Sequence, residues 1–441
     1  MTAYWAEHAW LAQGLAADVR FDVVDRRFEA VHTRTRPRDG DVRLPGVVLP
    51  GLANAHSHAF HRALRGRTHA DGGNFWTWRD LMYAVTRHLD PDTYLALARA
   101  VYAEMALAGI TAVGEFHYVH HAPGGKRYAD PNAMGRALIE AAHDAGIRLT
   151  LLDTCYLAGG LSSDGHLPLD DVQERFTDGD VDTWAARVAA LEPTATTRIG
   201  AAVHSIRAVP RDQLGPMAEL TRGRVVHAHV SEQPAENLAA QMYYGLTPTE
   251  LLAEAGLVGD RFSAVHATHL SDHDIDLLGQ ARATACFCPT TERDLADGIG
   301  PARELARAGA HLSLGSDQQA VIDPFEEVRG LEMHERLVSN ERGRFTAEEL
   351  LDAASVAGYR SLGWSDAGTI ADGQAADFVV VRTDTVGTAG SRAGQILYSA
   401  TRSDVDRVVV GGRTVVEDGR HVLGDVAALL TSSLAAVRGN R

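Results

Sequence analysis

Lysine is nearly missing from this chain: Lys126 stands alone among 42 basic residues, the rest being arginine. Chemistry that needs a lysine is thereby confined to one Gly-Gly-Lys-Arg loop. Cysteine is scarce as well. Cys155, Cys286 and Cys288 form an odd set, and a Cys-x-Cys pair inside a β-like run does not read as a disulfide framework. Reduced, buried thiols are expected; the alternative, a thiolate metal site, lacks a second Cys pair. No window approaches the roughly 20 uninterrupted apolar residues a membrane helix needs. The N-terminus has no basic region followed by an apolar stretch, so no secretion signal is expected and the expected compartment is the cytoplasm. Positive charge is in deficit. The formal net charge of −16 makes nucleic acid and anionic membrane poor partners.

What is present is an ordinary globular composition, 45% hydrophobic over 441 residues. That length suits one barrel of about 250 residues or more plus a smaller module. From residue 45 onward, β-rich runs alternate with helical stretches. The runs are Val47–Leu52, Thr111–His117, Ile147–Thr154, Arg198–His204, Arg224–Val230, Phe262–His266, Thr284–Pro289 and Ala310–Asp317. Several are almost continuously apolar, as parallel strands covered on both faces are. The clearest helix spans Pro91–Ala108, with Leu95, Ala98, Val101, Tyr102 and Met105 on one face and Gly109 as its stop. The fold class expected is α/β, a (β/α)8 TIM barrel.

The ends differ. Residues 1–46 hold short β-like runs such as Val19–Val24 and Phe28–Thr33. Residues 366–441 hold Phe378–Val380, Val408–Val410 and Thr414–Val416 with Gly-Gly and Asp-Gly turns between, then an amphipathic helix over 425–438. Neither end can bury a core alone. Together they are expected to form a small β-sandwich beside a barrel domain over 47–365.

The sharpest chemical signal is Asn54-Ala55-His56-Ser57-His58, directly after the first run. Residues two apart in an extended segment point the same way, so His56 and His58 can reach one metal ion. Barrel enzymes place chemistry at strand C-termini. Other strand ends supply matching groups: His227 and His229 with Glu232, His266 and His269, and Asp317. Histidine and carboxylate at several strand ends is what a catalytic zinc site needs.

This constellation resembles the amidohydrolase superfamily along the whole chain. Within it, the local text is similar to the formimidoylglutamate deiminases. The stretches that carry this are His56-Ser57-His58-Ala59-Phe60, Phe75-Trp76-Thr77-Trp78-Arg79, Glu115-Phe116-His117-Tyr118-Val119-His120-His121, His204-Ser205-Ile206-Arg207, His229 to Gln233, Val265-His266-Ala267-Thr268-His269 and Pro289-Thr290-Thr291-Glu292. The resemblance implies one divalent metal per chain, Zn2+, on His56, His58, His229 and Asp317. It implies Glu232, His266 and Asp317 as catalytic groups, and His61, Arg79, Tyr118, His204 and Arg207 as substrate contacts. His227 is left structural, and His266 rather than His269 matches the catalytic histidine. Binuclear relatives bridge two metals with a strand-end lysine, which this composition excludes.

The reaction so implied is hydrolysis of N-formimino-L-glutamate to N-formyl-L-glutamate and ammonia by a metal-activated hydroxide. The partner is a small anionic substrate; the apolar C-terminal helix and the resemblance favour a homodimer. Two departures stand out: His61 where these relatives have Gln, and Gln318-Gln319-Ala320-Val321 in place of a Ser-rich segment. The rival reading is another superfamily aminohydrolase, acting on a purine, pterin or related aminated ring.

Overall fold

A computed structural model describes residues 1–69 and 75–438, except the side chains of residues 75–77. The Phe75, Trp76 and Thr77 side chains of the aromatic stretch therefore lie outside the described residues.

Eight parallel strands form the barrel: β1 (Leu52–Ser57), β2 (Ile110–His117), β3 (Arg148–Cys155), β4 (Thr197–Val203), β5 (Val226–Val230), β6 (Phe262–His266), β7 (Thr284–Phe287) and β8 (His311–Leu314). They hydrogen-bond in sequence order. Helices cover their outer faces, which is why the strands are rich in apolar residues. The barrel closes just past β8, where Asp317 N donates to His56 O at 3.0 Å and His58 N donates to Asp317 O at 3.1 Å. Closure thus sets Asp317 in register with both histidines of β1.

The run Val47–Leu52 is not the first barrel strand. It divides at Gly51: Val42–Pro50 belongs to the terminal sheet and Leu52 starts β1. A Cβ at Gly51 would lie 2.5 Å from Thr111 Oγ1, so only glycine permits the crossing. Both termini contribute to one eight-stranded hydrogen-bonded sheet where a two-layered sandwich is expected, with Val42–Pro50 joining the N-terminal strands to Phe378–Val381. The N-terminal part includes Thr2–Leu11, a strand the sequence reading omits. Tyr4, Phe21, Phe28 and Phe378 pack at its centre. Arg148 at the start of β3 pairs with Asp377 through Nε at 2.6 Å and Nη2 at 3.0 Å, tying this sheet to the barrel. Such a buried pair holds only while both partners remain hydrogen-bonded.

The helix Pro91–Leu107 starts in a capping box between Asp90 and Thr93 and ends before Gly109, whose φ of 95° is left-handed. Against it packs the C-terminal helix Val426–Arg438, burying Val426, Leu430, Leu434 and Val437. The apolar face expected to favour a dimer is therefore spent within the chain. No helix among the described residues is long and apolar enough to cross a membrane.

Candidate metal centre and substrate cavity

His56, His58, His229 and Asp317 converge at the C-terminal mouth of the barrel. The Nε2 atoms of His56 and His58 each lie 3.3 Å from Asp317 Oδ1. His229 Nε2 lies 3.2 Å from His56 Nε2. Gly315 makes this approach possible, since a Cβ there would stand 2.8 Å from His56 Cβ. Ser231, His266, Ala267, Asp317 and Gln319, all around the mouth, have positive φ although none is glycine. Backbone strain of this kind collects at functional sites.

The donor set fits a cation. His58 Nδ1 is 2.9 Å from Phe116 O, and His229 Nδ1 is 2.8 Å from His204 O. A carbonyl only accepts, so both Nδ1 atoms donate and each Nε2 keeps its lone pair. Burial also holds His58 and His229 below the ordinary imidazole range, and it brings His56 down to about 3. Neutral imidazoles are ligands, not counter-ions. Burial works against the Asp317 carboxylate, yet hydrogen bonding to His56 and the surrounding imidazoles hold its pKa well below the usual range. Lone pairs and a carboxylate facing one point repel one another unless a cation sits between them.

Two further groups stand beside these four residues. His266 Nε2 lies 3.8 Å from Asp317 Oδ2 and 3.8 Å from Glu232 Oε1, while its Nδ1 faces Glu292 Oε1 at 3.4 Å. Burial opposes a charge on His266, but Glu232, Glu292 and Asp317 raise its pKa well above the ordinary value. An imidazolium at this point can stabilise negative charge that develops nearby.

The remaining expected residues share one cavity of about 520 Å3 with His58, His229 and Asp317: His61, Arg79, Tyr118, His204 and Arg207 all line it. His61 Nε2 lies 3.0 Å from Tyr118 OH, and its buried Nδ1 has no hydrogen-bond partner among the described residues. The Arg79 guanidinium sits 5.5 Å over the Tyr83 ring. Arg207 Nη2 donates to Glu232 Oε2 at 3.3 Å, with Glu236 Oε1 3.6 Å from its Nε. Lys126 is exposed, in the loop after β2. His227 is committed to a different layer: its Nε2 donates to Ser361 O at 2.9 Å, below the mouth. His269 Nε2 turns to Asp297 O at 2.7 Å, away from the ligands.

Residues 47–415 match the model of the amidohydrolase family. The chain belongs to the amidohydrolase family. Formimidoylglutamate deiminase of Pseudomonas aeruginosa is 36% identical to it, over 96% of each chain. The 8-oxoguanine deaminase of the same organism is 30% identical over 88% of this chain and 86% of its own. A crystal structure of an amidohydrolase from Brucella melitensis shares 32% identity and a TM-score of 0.92, covering 100% of both chains.

Several residues that shape this amidohydrolase site carry no assignment in the sequence reading. Ser57 turns away from the ligands and donates to Glu115 Oε2 at 2.8 Å; Ala59 N donates to Glu115 Oε1 at 2.6 Å. Glu115 therefore holds the segment that bears His56 and His58, and burial pushes its pKa up to about 8. Gln319 Nε2 donates to Ser57 Oγ at 2.8 Å and to Asp317 O at 2.9 Å. Tyr83, Tyr156, Gln173 and Phe176 wall the cavity. Tyr156 lies just past β3, where the strand-end rule would have found it. Cys155, Cys286 and Cys288 are free and buried, as expected. Burial raises the Cys288 thiol pKa, which opposes a thiolate beside His266 and Glu292. The cluster of His117, His120 and Asp153 already holds a cation, since Arg187 donates to both Asp153 oxygens at 3.0 and 2.8 Å.

Proposed function

We propose that this enzyme hydrolyses N-formimino-L-glutamate to N-formyl-L-glutamate and ammonia. The observation that carries this reading is the single cavity in which Arg79 and Arg207 face the same space as the imidazole–carboxylate cluster. A guanidinium is suited to a substrate carboxylate, and the cluster to hydrolysis of a C=N carbon. The 36% identity to the formimidoylglutamate deiminase of Pseudomonas aeruginosa supports it.

His56, His58, His229 and Asp317 would hold one divalent ion, Zn2+ being suited to this donor set. When bound, the ion supplies Lewis acidity that makes water a nucleophile near neutral pH. The chain's own groups do the rest. Asp317 takes a proton from the attacking water as the new C–O bond forms. Glu232 protonates the imino nitrogen, the proton taken by Asp317 passes to the resulting amine so that ammonia leaves as the C–N bond breaks, and the remaining hydroxyl proton returns to Glu232 as the formyl C=O forms. His266 stabilises the charge of the tetrahedral stage. Arg207 and Arg79 pair with the carboxylates and hold the carbon in place, which removes much of the entropic barrier. Within this reading the enzyme is cytoplasmic, with a small anionic substrate and no nucleic-acid partner; a homodimer, which light scattering tests, would have to pair through a surface other than the packed face of the C-terminal helix.

A second reading follows from the cavity's aromatic walls, Trp78, Tyr118, Tyr156 and Phe176, and from the 30% identity to an 8-oxoguanine deaminase: an aminated ring stacked among them. Ammonia release from N-formimino-L-glutamate, compared with adenosine, guanine and cytosine, separates the two. The expected result is turnover of the formimino compound; a ring preference overturns the first reading.

A further inference from the structure

Arg175 is 1% exposed and lies outside the groups assigned above. Its Nε donates to His121 O at 2.8 Å, its Nη2 to Leu89 O at 2.7 Å, and its Nη1 to Thr86 O. In return, its own carbonyl accepts from His120 N and His121 N at 3.1 and 3.0 Å. A buried guanidinium is tolerated only where its donors are met, and here main-chain carbonyls meet them.

The three carbonyls belong to connections that wall the substrate cavity. Thr86 ends the helix Phe75–Thr86, whose residues Trp78, Arg79, Met82 and Tyr83 line it. The carbonyls of a helix's last turn lack intrahelical partners and favour a cation. His121 closes the loop after β2 that presents Tyr118. Arg175 itself ends the turn Gln173–Arg175. From that turn Gln173 reaches inward, donating to Tyr156 OH at 2.9 Å and Gly159 O at 3.1 Å. The metal-ligand candidates, Glu232 and His266 stand on none of these three segments.

We propose that Arg175 is a positioning residue for substrate recognition: by clamping three separate connections it sets Arg79, Tyr118 and Gln173 in register around the substrate. It acts on binding and leaves the chemistry to the strand ends. Lysine cannot replace it, because three donors on one nitrogen do not span carbonyls from separate segments as the guanidinium fork does. The inference rests on the reading that this cavity binds N-formimino-L-glutamate.

The test uses the full chain with Arg175→Lys and Arg175→Met, measuring steady-state ammonia release, metal content and hydrogen exchange of residues 78–89 and 118–121. Both variants are expected to raise KM about tenfold or more while kcat stays within about threefold. Metal content stays at the wild-type level, and exchange quickens in those segments but not in β5 or β6. An unchanged KM with unchanged exchange overturns the proposal. So does loss of kcat and metal at constant KM, which marks a merely structural role. If Arg175→Met does not fold, Arg175→Lys is judged by the same criteria. If the wild type itself leaves N-formimino-L-glutamate intact, the functional reading falls, and exchange alone decides for or against the clamp.

Discussion

His229 Nε2 stands 3.2 Å from His56 Nε2 while His229 Nδ1 is committed to the His204 carbonyl at 2.8 Å. The ring cannot turn its lone pair elsewhere without losing that bond. A divalent ion between the two nitrogens would turn this close approach into ligation. The purified protein is therefore expected to carry one metal per chain, to lose ammonia release in chelator and to regain it with Zn2+. At free metal about a hundredfold above Kd, folding gains about 2.7 kcal/mol, seen as a higher Tm. His229→Ala should lose metal and activity together. Full metal content in that variant would contradict the ligand set.

Glu232 touches none of the ligands; its oxygens lie 3.8 Å from His266 Nε2 and 3.3 Å from Arg207 Nη2. Glu232→Gln is thus expected to keep its metal and lose at least about a hundredfold in kcat, the usual scale for a lost general acid. It also weakens a partner that competes for Arg207, so KM should not rise. Near-normal turnover, with metal present, rules out the proton-donor role.

How far the text alone reached is clearest at two strands. The barrel runs are legible because strands covered on both faces are largely apolar. That same continuity hides the division at Gly51, since nothing in Val47–Leu52 says that one chain segment serves two sheets. Thr2–Leu11 escapes because its register shifts between Ala6 and His8, which spoils the alternation expected of a half-buried strand. In the site, His56 and His58 are legible from their spacing and strand-end position. The groups that orient them are not. Phe116 for His58, and likewise His204 for His229, act through their carbonyls, which every residue possesses, and Glu115 holds the segment through Ser57 and Ala59 N.

Arg207 is paired with carboxylates in the free enzyme, and a substrate carboxylate must compete for it. Losing one buried guanidinium–carboxylate partnership typically costs about 2–5 kcal/mol. Arg207→Met is expected to lower kcat/KM by about thirtyfold or more, mainly through KM. The same substitution should cost little for a formimino substrate lacking the carboxylate that Arg207 holds, because neighbouring contacts couple and absent ones do not. An equal penalty on both substrates would assign Arg207 to holding Glu232 instead.

His120 offers a test by pH, remote from the proposed ligands. Its Nε2 lies 2.9 Å from Thr154 O, and around it stand His117, His121, Asp153, Asp178 and Arg187. Burial, and then the Arg187 charge, bring its pKa down from 6.5 to about 4. Burial works against Asp153 and Asp178, yet Arg187 and the histidines hold both below the ordinary carboxylate range, so they titrate at lower pH. Between about 6.5 and 4 the unfolded chain binds a proton at His120 that the folded chain does not. Unfolding free energy therefore rises with pH there, and this stabilisation, present above about 6.5, is lost as pH falls toward about 4. Substituting His120→Gln removes the titration. The difference in urea stability between wild type and variant should then change on the order of 1 kcal/mol per pH unit across that window, in the variant's favour on acidification. A difference that stays constant from about pH 7 to pH 4.5 would mean that His120 is protonated equally in both states, and the buried neutral imidazole would have to be abandoned.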